Sequence, residues 1–124
     1  MDLHDEELTN YFDQSIVDYK QGSSRIEQHL PDIVQGYFKF TQACFKDGAL
    51  DAKQKQLIAL AISIFTNDDY CIMYHTKGAV EHGATEQEIM ETIGVSAALG
   101  GGAAFSQGVT LALDTYDHYD QTNH

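Results

Sequence analysis

The fold is most clearly indicated by residues 57–65, LIALAISIF, an apolar run interrupted only by Ser63. Wound into a helix, this run is apolar on all sides, and a helix that is apolar all round is buried all round. We therefore expect it to form the central helix of the protein, starting after Asp51, which is a favourable N-cap residue. The run is far shorter than the roughly 18 apolar residues that indicate a membrane span.

Two further helices are predicted before the central one. The first covers about residues 6–20 and is expected to end at residues 21–24, QGSS. The second begins near Pro31, because proline is favoured in the first turn of a helix, and it ends at residues 47–48, DG. Its apolar residues recur at helical spacing and predict one stripe, made of Ile33, Tyr37, Phe40 and Cys44.

Three helices are predicted after the central one, which makes six in all. The fourth covers about residues 69–82, and the fifth covers about residues 85–99 and opens with a capping box of Thr85 and Glu88. The sixth follows the glycines at 100–102 and has one apolar side, made of Phe105, Val109, Ala112, Leu113 and Tyr116. Since no segment shows the two-residue alternation of a strand, the sequence predicts an all-α, six-helix bundle in a single domain, residues 1–124.

The composition of the 124-residue chain argues against several classes of partner. Nineteen acidic residues against seven basic ones give a formal charge of −12, whereas nucleic acids and anionic membranes attract clustered Lys and Arg. Two cysteines cannot form a disulfide framework, and the acidic, polar start lacks the features of a secretory signal. We therefore expect a cytoplasmic protein whose thiols are kept reduced.

The residues best suited to chemistry lie at 68–75, DDYCIMYH. Cys71 falls in the first turn of the fourth helix and His75 one turn later, so the thiol and the imidazole share a face. The helix N-terminus and a nearby imidazolium favour the reactive thiolate, whereas Asp68 and Asp69 disfavour it. A thiol beside a base is the layout of an activated nucleophile, although the same spacing also occurs among ordinary core residues.

Other residues admit two interpretations. Cys44 can in principle resolve an oxidised Cys71, but its place on an apolar stripe favours a buried, inert thiol. Tyr70 is a candidate for lining a substrate pocket, whereas Tyr74 more simply packs at an interface. The sequence has no set of residues with metal-ligand spacing and no phosphate-binding glycine loop, so we expect no metal and no organic cofactor.

Several segments of the chain resemble the carboxymuconolactone decarboxylase / alkyl hydroperoxidase D-like (AhpD-like) superfamily, over roughly residues 33–113. They are residues 47–50 (DGAL) with 53–62 (KQKQLIALAI), the Cys-x-x-x-His helix at 71–79 (CIMYHTKGA), the turn at 83–85 (GAT) with residues 88–89 (EI), and the small-residue turn at 100–104 (GGGAA). The resemblance implies that superfamily's all-helical fold. It also implies a homo-oligomer, often built from dimers into trimers or hexamers, with the site near a subunit interface.

Redox-active members of the superfamily carry a Cys-x-x-Cys-x-x-x-His motif and a glutamate twelve residues before the first cysteine. On that pattern Cys71 matches the second cysteine and His75 matches the histidine, whereas Asp68 replaces the first cysteine and Gln56 replaces the glutamate. Without a neighbouring thiol Cys71 cannot close a local disulfide, and Gln56 can form a hydrogen bond but cannot take a proton. Asp68 most simply caps the helix, with proton transfer as the alternative.

The resemblance leaves three functions open, of which we favour the first. A thiol-dependent peroxidase or oxidoreductase uses Cys71 and His75 on a peroxide or disulfide, forming a sulfenic acid that an outside thiol reduces. A decarboxylase of a muconolactone-type acid uses His75 as general acid/base, although such enzymes generally lack the cysteine. A non-catalytic oligomer binds a small molecule or partner at a decayed site.

Overall fold

The structure, a computed structural model, describes the backbone of residues 3–122 and the side chains of residues 11–120. This part of the chain contains helices and no strands. The helices are α1 (Leu3–His29), α2 (Pro31–Cys44), α3 (Ala52–Phe65), α4 (Asp69–Glu81), α5 (Glu86–Gly100), α6 (Gly102–Gln107), a π-helical segment (Gly108–Ala112) and α7 (Leu113–Thr122). The last three follow one another without a break and make one continuous helix, so the predicted all-α fold of six helices is confirmed. Within residues 3–122, no helix is both long and apolar enough to cross a membrane.

Helix α1 is longer than the sequence predicts, because residues 21–24 do not end it. Gly22 costs a helix only about 1 kcal/mol relative to alanine, and the helix-forming residues around it are sufficient to continue the helix. The break comes at Leu30 instead, which has φ −135° and ψ 60°. Pro31 disfavours the helical conformation in the residue before it, and it then opens α2 as predicted.

The contacts between helices divide the chain into two units, with the boundary after Asp47. The N-terminal unit contains α1 and α2, which pack against each other, and the C-terminal unit contains α3 to α7. The prediction of a single domain over residues 1–124 stays a prediction.

The more buried side of α2 is one residue away from the stripe that the sequence predicts. The predicted residues are exposed, including Phe40 at 66% and Cys44, so the prediction of a buried Cys44 thiol is wrong. The residues that are buried or half-buried follow the same helical spacing, shifted by one position: Val34, Phe38, Thr41 and Phe45. Apolar residues lie on both stripes, and hydrophobicity alone does not distinguish them.

In the C-terminal unit, α3 packs against α4 and α5. Its buried side contains Leu60 and Ile64, which are fully buried, and the Ser96 hydroxyl of α5 donates a hydrogen bond to the Ala61 carbonyl at 2.9 Å. The prediction that α3 is buried all round is wrong for one face, where three apolar side chains are about half exposed or more: Ile58, Ile62 and Phe65.

The π-helical segment changes the face that the sixth helix presents. The sequence places Phe105 and Tyr116 on one apolar side, but Phe105 is exposed and Tyr116 is buried. A π-helical turn holds more residues than an α-helical turn, so residues after it are rotated relative to a straight α-helix. At the start of this segment the helix lies close against α5, since a side chain at Gly108 would overlap Ile93.

Candidate active site

Helix α4 begins at the candidate site and is capped there by Asp68. Asn67, just before it, has a positive φ of 56°, so the chain turns sharply between α3 and α4. The backbone of Asp68 is extended, and its carboxylate accepts a hydrogen bond from the Cys71 N–H at 3.1 Å. The predicted N-cap is confirmed, and it places a carboxylate at the first turn of α4, where the helix dipole favours negative charge.

The Cys71 thiol lies beside this carboxylate. The side chain is half-buried and the thiol forms a hydrogen bond with Asp68. Burial, followed by this hydrogen bond and the negative charge of Asp68, raises the pKa of the Cys71 thiol to about 11. The helix N-terminus favours the thiolate, as the sequence suggests, but burial and the carboxylate outweigh it. At neutral pH the group is therefore a thiol.

The His75 imidazole, one turn further along α4, is held by a residue of α3. Its Nδ1 lies 2.8 Å from Oε1 of Gln56. A carbonyl oxygen can only accept a hydrogen bond, so Nδ1 carries the proton and Nε2 carries the lone pair in the neutral ring. Burial lowers the pKa of His75, and the charge of Asp68 opposes this effect. The ring is thus neutral at pH 7 and is a base at Nε2.

One tyrosine of α4 lies next to the imidazole, and a second stacks on the first. The rings of Tyr70 and Tyr74 are stacked, with centroids 5.8 Å apart, and Tyr74 meets His75 edge-on at 5.2 Å. Tyr74 is about half exposed, whereas Tyr70 is half-buried. These ring contacts place aromatic side chains beside His75 at the candidate site. The role of Tyr70 in a substrate pocket stays a prediction.

Sequence reasoning missed one residue that supports the site. The Gln107 amide of α6 donates a hydrogen bond to Asp69 at 2.7 Å, and Asp69 is the first residue of α4. This contact ties the sixth helix to the helix turn that carries Cys71. The two residues are 38 positions apart and match no motif, so no signal in the sequence indicates the pair.

The structure brings together four of the predicted site residues: Gln56, Asp68, Cys71 and His75. Among the side chains that the structure describes, no three His, Cys, Asp or Glu residues converge in a way that could hold a metal ion. An open cleft of about 700 Å³ lies at the other end of α4, lined by residues such as Val80, Thr85 and Tyr116. That end is about 15 Å from Cys71, at 1.5 Å of helix per residue, so the cleft is separate from this cluster.

Comparison of the sequence with known families and proteins gives consistent matches. The profile of the Carboxymuconolactone decarboxylase family matches residues 31–114. A protein of Paracoccus denitrificans described as "Uncharacterized protein 4 in cox locus" is 41% identical over 88 residues, which are 71% of this chain and 78% of that protein. An uncharacterized protein of Cupriavidus necator is 29% identical over 96 residues, which are 77% of this chain and 81% of that protein.

Two crystal structures are similar to this one. The apo form of a carboxymuconolactone decarboxylase family protein of Legionella pneumophila has a TM-score of 0.84 and 30% identity, covering 90% of this chain and 98% of its own. A carboxymuconolactone decarboxylase family protein of Thermotoga maritima has a TM-score of 0.69 and 23% identity, covering 82% of this chain and 92% of its own. At that lower identity the second likeness concerns the fold alone.

Proposed function

The chain belongs to the carboxymuconolactone decarboxylase family, and we propose that it acts as a thiol-dependent peroxidase with Cys71 as nucleophile and His75 as general base. The observation that carries the proposal is the arrangement of His75 on the helix of Cys71. Gln56 holds Nδ1 at 2.8 Å, which leaves the lone pair on Nε2. Cys71 lies one helical turn before this base on the same face of α4, and a base near a thiol can take its proton as the sulfur attacks.

The proposed reaction starts from the thiol rather than from a standing thiolate, because the pKa of Cys71 is about 11. His75 takes the thiol proton while the sulfur attacks the terminal oxygen of a hydroperoxide. An S–O bond forms, the O–O bond breaks, and the proton passes from the imidazolium to the leaving oxygen. The products are the Cys71 sulfenic acid and water or an alcohol, so the sulfur loses the two electrons that the peroxide gains.

The sulfenic acid is returned to the thiol by an outside thiol. The first outside thiol condenses with the sulfenic acid, which releases water and leaves a mixed disulfide, and a second thiol then reduces that disulfide. An outside reductant is required because Asp68 occupies the position of the family's first redox cysteine. This cycle suits the reducing, cytoplasmic compartment that the sequence predicts.

The charge of the site favours a neutral substrate. The Asp68 carboxylate lies against the thiol, and the chain carries a formal charge of −12, so an anionic acid is repelled on approach and on binding. Hydroperoxides are neutral at pH 7, whereas a muconolactone-type acid is an anion. These charges therefore support peroxide reduction over the decarboxylase alternative.

A second candidate, a non-catalytic protein that binds a small molecule, is favoured by one observation. The raised pKa of Cys71 keeps the sulfur in its protonated, less reactive form. This is what we expect of a site that has lost catalytic activity. The two candidates differ in what the sulfur does, so direct measurement of Cys71 oxidation separates them.

We expect hydroperoxide to convert Cys71 to a sulfenic acid that a 1,3-dione reagent traps. Mass spectrometry of the Cys44→Ser variant, in which Cys71 is the only thiol, should show the adduct on the peptide that contains Cys71. With a small thiol as reductant, Cys71→Ser should lose at least about 100-fold in peroxide consumption, since it removes the nucleophile. Absence of the adduct up to pH 9, with equal peroxide consumption by the two variants, contradicts the peroxidase and supports the binding protein.

We further propose that the protein is a homo-oligomer, built from dimers into a trimer or hexamer. Support comes from the exposed face of α3, where Ile58, Ile62 and Phe65 recur at i, i+4 and i+7. Apolar side chains grouped on one surface are typical of interfaces between proteins. Light scattering should give three or six times the chain mass of 13.8 kDa, and Ile62→Glu should lower it. A mass of 13.8 kDa at all concentrations contradicts the proposal.

A further inference from the structure

Helix α4 leaves a gap beside the Gln56 amide, at Gly78. A Cβ atom placed on Gly78 would lie 2.6 Å from both Cδ and Oε1 of Gln56 and 3.0 Å from its Nε2. Distances under 3.0 Å between such atoms are essentially never observed, so any side chain at this position displaces the amide. The amide that holds His75 therefore occupies the space that a side chain on Gly78 would fill.

The backbone at Gly78 gives no other reason for a glycine. The residue lies inside α4, and its φ is not in the left-handed region that favours glycine. In the interior of a helix, glycine is less stable than alanine by about 1 kcal/mol. The close approach of the Gln56 amide is thus the feature of the structure that a side chain here would disturb, because the flexible end of Gln56 would have to move away.

We propose that Gly78 is a positioning residue for His75, because the space beside it lets the Gln56 amide hold Nδ1–H and thereby keeps the lone pair on Nε2. The proton position on the ring follows from the hydrogen bond that Nδ1 makes. The consequence for catalysis rests on the proposed function, in which Nε2 accepts the thiol proton. The consequence for the tautomer does not depend on it.

The direct test is the tautomer of His75, measured by ¹⁵N NMR of protein labelled on histidine. In the natural chain, Nδ1 should give a protonated-type signal and Nε2 an unprotonated-type signal above pH 7. Gly78→Ala should lose this single tautomer and give a mixture, as should Gln56→Ala, which removes the acceptor without touching α4. The double variant should match Gln56→Ala, because the added methyl group no longer meets an amide. Unchanged signals in Gly78→Ala, or additive effects in the double variant, overturn the proposal.

Gly94→Ala is the matched control. Gly94 also lies inside a helix of the C-terminal unit, but a Cβ there meets nothing within 4 Å. This variant should gain helix stability and should leave the His75 signals unchanged. If Gly94→Ala and Gly78→Ala give the same tautomer mixture, helix stiffness rather than space for Gln56 determines the tautomer of His75. That result contradicts the proposal.

A kinetic readout separates this inference from the proposed function. Gly78→Ala should slow the oxidation of Cys71 by peroxide at least tenfold, since a well-placed general base contributes roughly 10²–10⁴-fold. A changed tautomer with no peroxide reaction in any variant supports the role of Gly78 and contradicts the peroxidase. An unchanged tautomer in a protein that does reduce peroxide contradicts the role of Gly78 and leaves the peroxidase standing.

Discussion

The rate at which iodoacetamide alkylates Cys71 should rise about a thousandfold between pH 7 and pH 10, tenfold for each pH unit and without a plateau. The reactive species is the thiolate, and the pKa of Cys71 is about 11, so the ionised fraction keeps growing through this range. A thiol with the ordinary pKa of about 8.5 would level off near pH 9. The measurement uses the Cys44→Ser variant, so that one thiol reacts.

Replacing the carboxylate that faces the thiol should shift this profile to lower pH. Asp68→Asn keeps an N-cap residue with an oxygen that accepts hydrogen bonds, but it removes the negative charge that helps to raise the Cys71 pKa. The effect of burial remains, so we expect a decrease of about one pKa unit and about tenfold faster alkylation at pH 7. Asp69→Asn is the control, because Asp69 points to Gln107 and an asparagine can still accept that hydrogen bond. A plateau below pH 9 in the natural chain contradicts the raised pKa of Cys71. Equal shifts in the two variants contradict the contribution of Asp68 to that pKa.

Leu60→Ala should cost about 2–5 kcal/mol of unfolding free energy, the largest loss of stability that we predict for a single site. Leu60 is 0% exposed in α3, and truncation of a fully buried leucine removes apolar contacts and leaves a cavity. For a chain of this length the midpoint of thermal unfolding should fall on the order of 10 °C. Denaturant unfolding, followed by circular dichroism at low protein concentration, gives the free energy directly.

Ile62→Ala is the matched control, because Ile62 lies two residues further along the same helix and is 59% exposed. In the dissociated chain its truncation should change the unfolding free energy by less than about 1 kcal/mol. If copies of the chain cover this face, the loss should grow with protein concentration, because association stabilises the folded state by mass action. Equal losses for Leu60→Ala and Ile62→Ala in the dilute protein contradict the burial described above.

The sequence predicts the helices and the cap of the site well, because both follow from local chemistry. An N-cap aspartate, a capping box and a proline in the first turn act within four residues, and the structure contains all three, at Asp68, at Thr85 with Glu88, and at Pro31. Cys71 and His75 fall on one face of α4 for the same local reason. The catalytic roles of these residues stay predictions.

The features that the sequence does not predict depend on contacts between distant segments. Ile62 is as apolar as Leu60, yet one is exposed and the other buried, since hydrophobicity does not say which surface of a helix meets the core. The raised pKa of Cys71 likewise depends on burial, which spacing alone does not reveal. Gly78 resembles any helix-breaking glycine until the position of Gln56 is known.

The π-helical segment has a consequence for how the length of this chain can vary. Thr115 and Tyr119 of α7 are buried, and the wider turn at Gly108–Ala112 sets the direction in which they point. An α-helix turns by about 100° per residue. A homologous chain with one residue deleted there would have a straighter helix, and both side chains would swing away from the core. Single-residue gaps in this segment are therefore not neutral in sequence alignments, and homologues of different length here need different residues in the last helix.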